Sequence, residues 1–194
     1  MYEYIEGKLE VINPDHAVIA TGGIGYFVNI SLNTYSVLKG LAHGKLFIHH
    51  IVREDAEMLY GFDSEEERLI FRALISVSGI GANTARLILS SMSPQEFVMA
   101  ISTEDVNALK KIKGIGAKSA QRMIVELKDK VSKLTLNHGN IALTHNTNQI
   151  ESLSALAALG FSKTVAEKAV QRVLKTMGND ATVERIVKEA LKIL

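Results

Sequence analysis

The residues with the clearest chemical meaning in this 194-residue chain form two copies of a short glycine motif. Gly79-Ile80-Gly81 and Gly114-Ile115-Gly116 lie 35 residues apart, and alanine follows each copy directly. The glycines permit a tight turn that other residues would obstruct, and the isoleucine can anchor that turn in an apolar core. We expect each turn to open a helix, whose first backbone N–H groups lack partners and attract anions. The repeat therefore predicts binding to phosphate groups.

Polar and basic side chains follow both turns. Lys118, Ser119 and Arg122 follow the second turn, and Asn83 and Arg86 follow the first in the comparable region. Lys118 and Arg122 are four residues apart, so they share one face of a helix. Because phosphate contacts carry no base information, we expect binding that is independent of DNA sequence. A helical turn that ends at glycine and binds nothing is the alternative for one motif, but two aligned copies favour phosphate binding.

Two pairs of adjacent residues are candidates for catalysis or metal binding: Glu54-Asp55 and His49-His50. Neighbours on a strand point to opposite faces, so neither pair can converge on one ion unless a turn bends it. We predict a solvated turn for Glu54 and Asp55, a structural place for the two histidines, and no metal site. The chain also lacks the Gly-Lys-Ser/Thr motif that cradles nucleotide phosphates, so we expect no cofactor and no ATP hydrolysis by this chain.

The periodicity of apolar residues changes along the chain. The first 62 residues contain five short strand-like runs, which predict a small closed or partly closed barrel of the OB-fold type. A simple antiparallel sheet is the alternative. From Ser64 the period is helical, and the three glutamates that follow this serine are typical of a helix start. Residues 135–148 carry no Lys, Arg, Asp or Glu and show no periodic face, which predicts a flexible linker.

These patterns predict a multidomain α+β chain. An OB-fold barrel would occupy residues 1–63, and a helical domain that contains both glycine turns would occupy residues 64–134. After the linker, three amphipathic helices in residues 149–194 would form a small bundle.

Charge is distributed unevenly along the chain. Residues 1–67 carry four basic and 11 acidic residues, a net charge of −7, whereas residues 68–133 carry 11 basic and five acidic, a net charge of +6. This asymmetry suggests that only the middle segment meets a polyanion. The absence of cysteine excludes disulfides and thiolate metal sites, and the first residues do not match a signal peptide. We therefore expect a cytoplasmic protein.

The paired glycine turns resemble the tandem helix-hairpin-helix modules of the RuvA family, and the resemblance continues in order along nearly the whole chain. Residues 22–26 are similar to a signature of the family's barrel domain, and residues 52–56 to its acidic-pin strand. Residues 156–161 are similar to the first helix and turn of its motor-binding C-terminal domain. Asn83 departs from the pattern, because a basic residue is usual there, which puts in doubt a side-chain phosphate contact at this position.

The resemblance implies a non-catalytic subunit that acts in recombination and DNA repair. RuvA proteins form homotetramers that hold a four-way junction open, with either one tetramer or two on the DNA. Glu54 and Asp55 would repel DNA at the junction centre. The RuvB hexameric ATPase would drive branch migration, and the RuvC resolvase is a further implied partner. The implied contact residues for RuvB are Leu156, Leu159, Gly160 and Phe161.

Two other functions are compatible with parts of the sequence. A helix-hairpin-helix DNA repair glycosylase or structure-specific nuclease would need a positioned Asp or Lys in a pocket, or a cluster of acids for Mg²⁺. We find neither pattern after the second turn. A single-strand binder built on the barrel would need a positive groove with stacking aromatic residues, and the charge of the barrel segment argues against it.

Overall fold

The computed structural model describes residues 2–138, 144–177 and 181–194. The chain divides into two compact units, Met1–Leu136 and Asn137–Leu194. The first unit contains a β-barrel followed by helices, and the described part of the second unit is helical. The predicted α+β class is confirmed.

Five strands form a closed barrel in the order β1-β2-β3-β5-β4. β3 and β5 pair in parallel, and the other neighbours are antiparallel. Alternate side chains fill the interior, among them Ile19, Val28 and Leu46. The barrel confirms the first of the two predicted sheet arrangements. The strands are β1 (Tyr4–Ile12), β2 (His16–Thr21), β3 (Ile24–Ile30), β4 (His43–Val52) and β5 (Glu57–Phe62).

A short helix that the sequence analysis did not predict, α1 (Leu32–Leu38), joins β3 to β4. The Ser31 side chain caps it by accepting a hydrogen bond from the backbone N–H of Thr34 at 3.0 Å. Seven residues are too few to display a periodic apolar face, so the pattern gave no signal for this helix.

Five helices complete the first unit and share one apolar cluster. The predicted helix start is confirmed, because the Ser64 hydroxyl accepts a hydrogen bond from the backbone N–H of Glu67 at 3.2 Å. Fully buried residues of the cluster include Phe71, Ile88 and Phe97. The helices are α2 (Glu65–Ile75), α3 (Ala82–Ser91), α4 (Pro94–Ser102), α5 (Val106–Lys110) and α6 (Ala117–His138).

The second unit contains α7 (Thr144–Ala158), α8 (Lys163–Met177) and α9 (Val183–Ile193). Small and branched residues form its core, including Val170, Val173 and Ile186. None of the helices within the described ranges has the length and hydrophobicity needed to cross a bilayer.

Helical structure enters the predicted linker, residues 135–148, from both ends, because α6 continues to His138 and α7 begins at Thr144. Once a helix exists, each further residue adds a hydrogen bond at little cost, so α6 extends past the last residue of its apolar face. Residues 139–143 of the predicted linker lie outside the described residues.

Candidate nucleic-acid interface

Each glycine motif forms a hairpin between two helices. Gly79 and Gly114 have φ angles of +88° and +87°, in the left-handed region that favours glycine. Ile80 and Ile115 are each 6% exposed and belong to the same apolar cluster. The hairpin geometry expected from the repeat is therefore present at both positions, with the isoleucines as anchors.

The second glycine of each motif has a different environment from the first. Gly81 has a φ of −85°, and Gly116 also lies outside the left-handed region. A Cβ atom added to either residue would meet no heavy atom within 4 Å. Neither backbone conformation nor packing in this chain therefore requires glycine at these positions. A glycine there leaves the backbone open to close approach by a ligand.

The helices that follow the hairpins begin without a side-chain cap. Gly81 is the N-cap of α3, Gly116 precedes α6, and glycine has no side chain to accept a hydrogen bond. The first intrahelical bonds run from Ala85 to Gly81 and from Ala120 to Gly116, each 2.9 Å, so the N–H groups of the first turn remain for a ligand. The other helices of this unit have side-chain caps: Ser31 for α1, Ser64 for α2, Ser93 for α4 and Asp105 for α5. The two uncapped helix starts thus present matched sets of N–H groups, an arrangement that favours an anion.

Lys118 is an exposed cation at the second hairpin. It lies exposed in the first turn of α6, beside the half-buried Ser119, and no described residue forms an ion pair or hydrogen bond with its side chain. Asn83 is exposed in the corresponding turn of α3. Backbone N–H groups and a cation therefore coincide at the second hairpin, whereas the first offers backbone groups and a neutral amide.

Arg122 extends from the helix of the second hairpin to the first hairpin. Its Nη1 donates a hydrogen bond to the carbonyl oxygen of Ser78 at 3.1 Å. We predicted that Arg122 would lie beside the second hairpin. The structure also connects it to Ser78, the residue that directly precedes Gly79.

Arg86, which follows the first hairpin, contacts the barrel. Its Nη1 donates to the carbonyl oxygen of Asp15 at 2.7 Å and lies 3.4 Å from Oδ1 of Asn29. The side chain is half-buried against the barrel, because one turn into α3 it falls on the helix face that packs toward the barrel. Arg86 therefore joins the barrel to α3 and does not extend freely from the first hairpin.

Three exposed lysines precede the second hairpin and were not among the predicted site residues: Lys110, Lys111 and Lys113. No ion pair involves them among the described residues. The sequence run KKIKG is the signal for them, and these lysines contribute to the net charge of +6 of residues 68–133.

Glu54 and Asp55 lie at the tip of the hairpin between β4 and β5. The backbone N–H of Arg53 donates to the carbonyl oxygen of Ala56 at 2.8 Å, which closes the turn around two exposed carboxylates. The predicted solvated turn is confirmed.

The adjacent histidines have structural contacts. His49 packs against the ring of Phe71, and its Nδ1 lies 3.4 Å from Nε of Arg72. Burial and the Arg72 charge lower the pKa of His49, which favours the neutral ring. His50 lies 3.4 Å from a carboxylate oxygen of Glu57. Within the described ranges, no three His, Asp or Glu residues are grouped as a metal site would require.

Comparison with known proteins covers the whole chain. Family models described as the RuvA N-terminal domain, the SAM-like helix-hairpin-helix tandem and the RuvA C-terminal domain match residues 1–61, 71–129 and 148–194. The Holliday junction branch migration complex subunit RuvA of Flavobacterium psychrophilum is 51% identical over 195 residues. The proteins with the same name from Bacteroides fragilis and Porphyromonas gingivalis are 50% and 43% identical. All three alignments cover 100% of both chains. The chain belongs to the RuvA family.

The match to the RuvA C-terminal domain includes the predicted motor-contact residues. In the structure these residues differ in exposure. Leu156 is fully buried in the core of the second unit, so it is not available to a partner. Gly160 has a φ of +95°; its N–H bonds to the Ala157 carbonyl at 3.0 Å, and the N–H of Phe161 bonds to the Leu156 carbonyl at 3.2 Å. These bonds end α7 in a Schellman motif, which turns Phe161 back against the core. Leu159 is left 60% exposed.

Proposed function

We propose that this chain is the non-catalytic subunit of a branch migration complex, which binds four-way DNA junctions and holds them open for a partner ATPase. The chain would act in recombination and DNA repair. The observation that carries the proposal is the pair of hairpins, each ahead of an uncapped helix, in one apolar cluster. The full-length match to relatives named Holliday junction branch migration complex subunit RuvA supports the same function.

The proposed DNA contacts are to phosphates. Two rigid hairpins with free N–H groups can bind two positions along a DNA backbone without contacting base edges. Lys118 would strengthen the second contact, and the lysines ahead of that hairpin would add to the local positive potential. We omit Arg86, since its guanidinium is engaged with the barrel, and Arg122, since its guanidinium donates to the Ser78 carbonyl. The proposed contact residues are Gly79, Ile80, Gly81, Asn83, Gly114, Ile115, Gly116, Lys118 and Ser119.

The acidic turn would select the form of the DNA. Glu54 and Asp55 are exposed at a strand-hairpin tip and have no ion-pair partner among the described residues. In a homotetramer with its symmetry axis near this tip, the tips of several chains would lie close together at the axis. Their charges would repel a continuous duplex but leave room for an open junction.

The proposed partners follow from the family. We propose that a RuvB-type hexameric ATPase docks on the second unit, with Leu159 as the exposed apolar contact and Gly160 and Phe161 shaping the turn beside it. A RuvC-type resolvase is a further proposed partner, and the cytoplasm, where such DNA lies, is the proposed location. We propose domain limits of 1–63, 64–134 and 149–194, which lie close to the limits of the family matches.

Binding and catalysis can be tested in one set of assays. Purified chain is mixed with a labelled four-way junction, a linear duplex of equal length or a single strand, in the presence of Mg²⁺ and ATP. We expect the tightest binding to the junction, equal binding to junctions of unrelated sequence, intact DNA and no ATP consumption. Cleavage of the junction by the chain alone would support the nuclease alternative. Equal affinity for junction and duplex would contradict junction binding.

A further inference from the structure

Two cations of α6 contact the chain segment that leads into the first hairpin, although α6 itself starts at the second. Arg122 donates to the Ser78 carbonyl oxygen at 3.1 Å, and Nζ of Lys130 donates to Oγ of Ser76 at 2.9 Å. Ser76 is the C-cap residue of α2, and its hydroxyl also donates to the Ala73 carbonyl. The two α6 donors are eight residues apart, which is about 12 Å along a helix.

Several side chains hold the two hairpins in the apolar cluster: Val77, Ile80 and Ala82 at the first, and Ile112 and Ile115 at the second. Such apolar contacts have no direction, whereas a hydrogen bond fixes the relative orientation of the groups that it joins. The carbonyl of Ser78 directly precedes Gly79, whose positive φ makes the turn. A hydrogen bond to this carbonyl from the helix of the other hairpin therefore adds a directional contact between the two hairpins.

We propose that Arg122 and Lys130 are positioning residues that fix the distance and angle between the two hairpins. This inference rests on the proposed function for its effect on DNA. Two sites held at a set separation can bind two phosphates with less ordering cost than two sites that move independently. Arg122 therefore acts through the first hairpin, whereas Lys118, one turn earlier on the same helix, acts by charge at the second.

The salt dependence of junction binding separates these roles. Arg122→Ala should weaken binding roughly tenfold at fixed salt, as expected for one lost hydrogen bond from a charged group. The slope of log affinity against log salt should stay at the wild-type value. Lys118→Ala is the matched control, and its slope should become shallower by about 0.9. An equal change of slope in Arg122→Ala would overturn the proposal in favour of a direct phosphate contact.

Double variants separate the positioning role of Arg122 from the local role of Lys118. Gly81→Ala and Gly116→Ala obstruct one hairpin each, and both new Cβ atoms meet open space in the free protein. Because relative positioning helps only when both hairpins bind DNA, the Arg122→Ala effect should shrink in either background. The Lys118→Ala effect should shrink in the Gly116→Ala background and persist in the Gly81→Ala background. An Arg122→Ala effect that persists at full size in both backgrounds would overturn the positioning role.

Amide hydrogen exchange tests the inference without DNA. The N–H groups of Ile80 and Ile115 bond to the carbonyls of Val77 and Ile112 at 3.0 and 3.1 Å. In free Arg122→Ala the Ile80 amide should exchange faster, while the Ile115 amide and the amides of α4 stay protected as in the wild type. Equal acceleration at both hairpins, or none at either, would contradict the inference. Failure of the wild-type chain to bind junctions would reject the proposed function, and the exchange result would still decide this inference.

Discussion

The hydroxyl group of Thr34 in α1 donates a hydrogen bond of 2.6 Å to the carboxylate of Glu67 in the first turn of α2. Ser31 donates to the other oxygen of the same carboxylate, and Oγ1 of Thr34 also lies 3.3 Å from the Asp63 carboxylate. Glu67 is fully buried. A buried acid thus connects α1, which joins two strands of the barrel, to α2, the first helix after the barrel.

This buried acid should make stability depend on pH. Burial raises the pKa of Glu67 to about 7, the Asp63 carboxylate adds to the rise, and the Ser31 and Thr34 hydroxyls oppose it. Between the ordinary value of 4.5 and about 7, the folded chain holds a proton that the unfolded chain releases. The free energy of unfolding should therefore fall as pH rises through this window, by at most about 1.4 kcal/mol per pH unit from this group.

Denaturant titrations of Glu67→Gln from pH 5 to 8 would measure this contribution. Because glutamine does not titrate, the free energy of unfolding of the variant should not show the decline with rising pH that the wild type shows. Glu65→Gln is the matched control, since Glu65 is exposed in the same helical turn, and it should keep the wild-type profile. A wild-type slope in Glu67→Gln would show that another group causes the dependence.

The two glycines of the first hairpin should differ when each is changed to alanine. Gly79→Ala forces a left-handed φ on a residue with a side chain and should reduce stability by about 1–2 kcal/mol. Gly81→Ala meets no strain or clash, so its stability should change by less than about 1 kcal/mol while DNA affinity falls. Thermal unfolding and junction binding, measured on both variants, check this difference. Wild-type DNA affinity in Gly81→Ala would contradict phosphate approach at this position.

The sequence was sufficient for features that depend on local pattern. The strand alternation, the Ser64 helix start and the glycine repeat each follow from residue types over a few positions, and the structure contains all three. Helix α1 was missed because it is too short to show a period.

Contacts between distant segments could not be predicted. Arg86 and Arg122 each looked like a free cation, but their partners are backbone carbonyls 71 and 44 residues away. Backbone carbonyls are present at every residue, so no residue type marks them as partners. Glu67 looked like an ordinary acid of a helix start, but in the fold it is buried and accepts hydrogen bonds from the distant Ser31 and Thr34. Leu156 and Leu159 share one motif, and only the Schellman turn shows which of them faces outward.

Substitution of Leu159 should reduce stimulation of the partner ATPase, whereas substitution of Leu156 should reduce the stability of the second unit. Leu159→Ser changes an exposed residue, so unfolding should shift by less than about 0.5 kcal/mol, while stimulation of a RuvB-type ATPase should fall. Leu156→Ala removes core volume and should cost the second unit about 2–5 kcal/mol. Val165→Ser, at another exposed apolar position of this unit, is the control and should keep stimulation. Full stimulation by Leu159→Ser would remove this residue from the proposed docking surface.

The acidic tip should act on duplex DNA more than on junctions. Each exposed carboxylate about 8 Å from a phosphate contributes roughly 0.5 kcal/mol of repulsion in water, and salt reduces it further. Glu54→Gln combined with Asp55→Asn should therefore raise duplex affinity by at least about fivefold at low salt, the effect of the two carboxylates of one chain, with junction affinity unchanged or slightly higher. The preference for junction over duplex should fall accordingly.

Competition between junction and duplex of equal length would measure this change. Glu6→Gln combined with Glu65→Gln is the control, since it removes two exposed carboxylates of the same unit away from the tip. The tip variant should lose junction preference and the control should keep most of it, because repulsion falls with distance and is screened beyond about 8 Å at physiological salt. Unchanged duplex affinity together with weaker junction binding would contradict repulsion. That result would mean that the two carboxylates support the structure of the β4–β5 turn or bind a cation there.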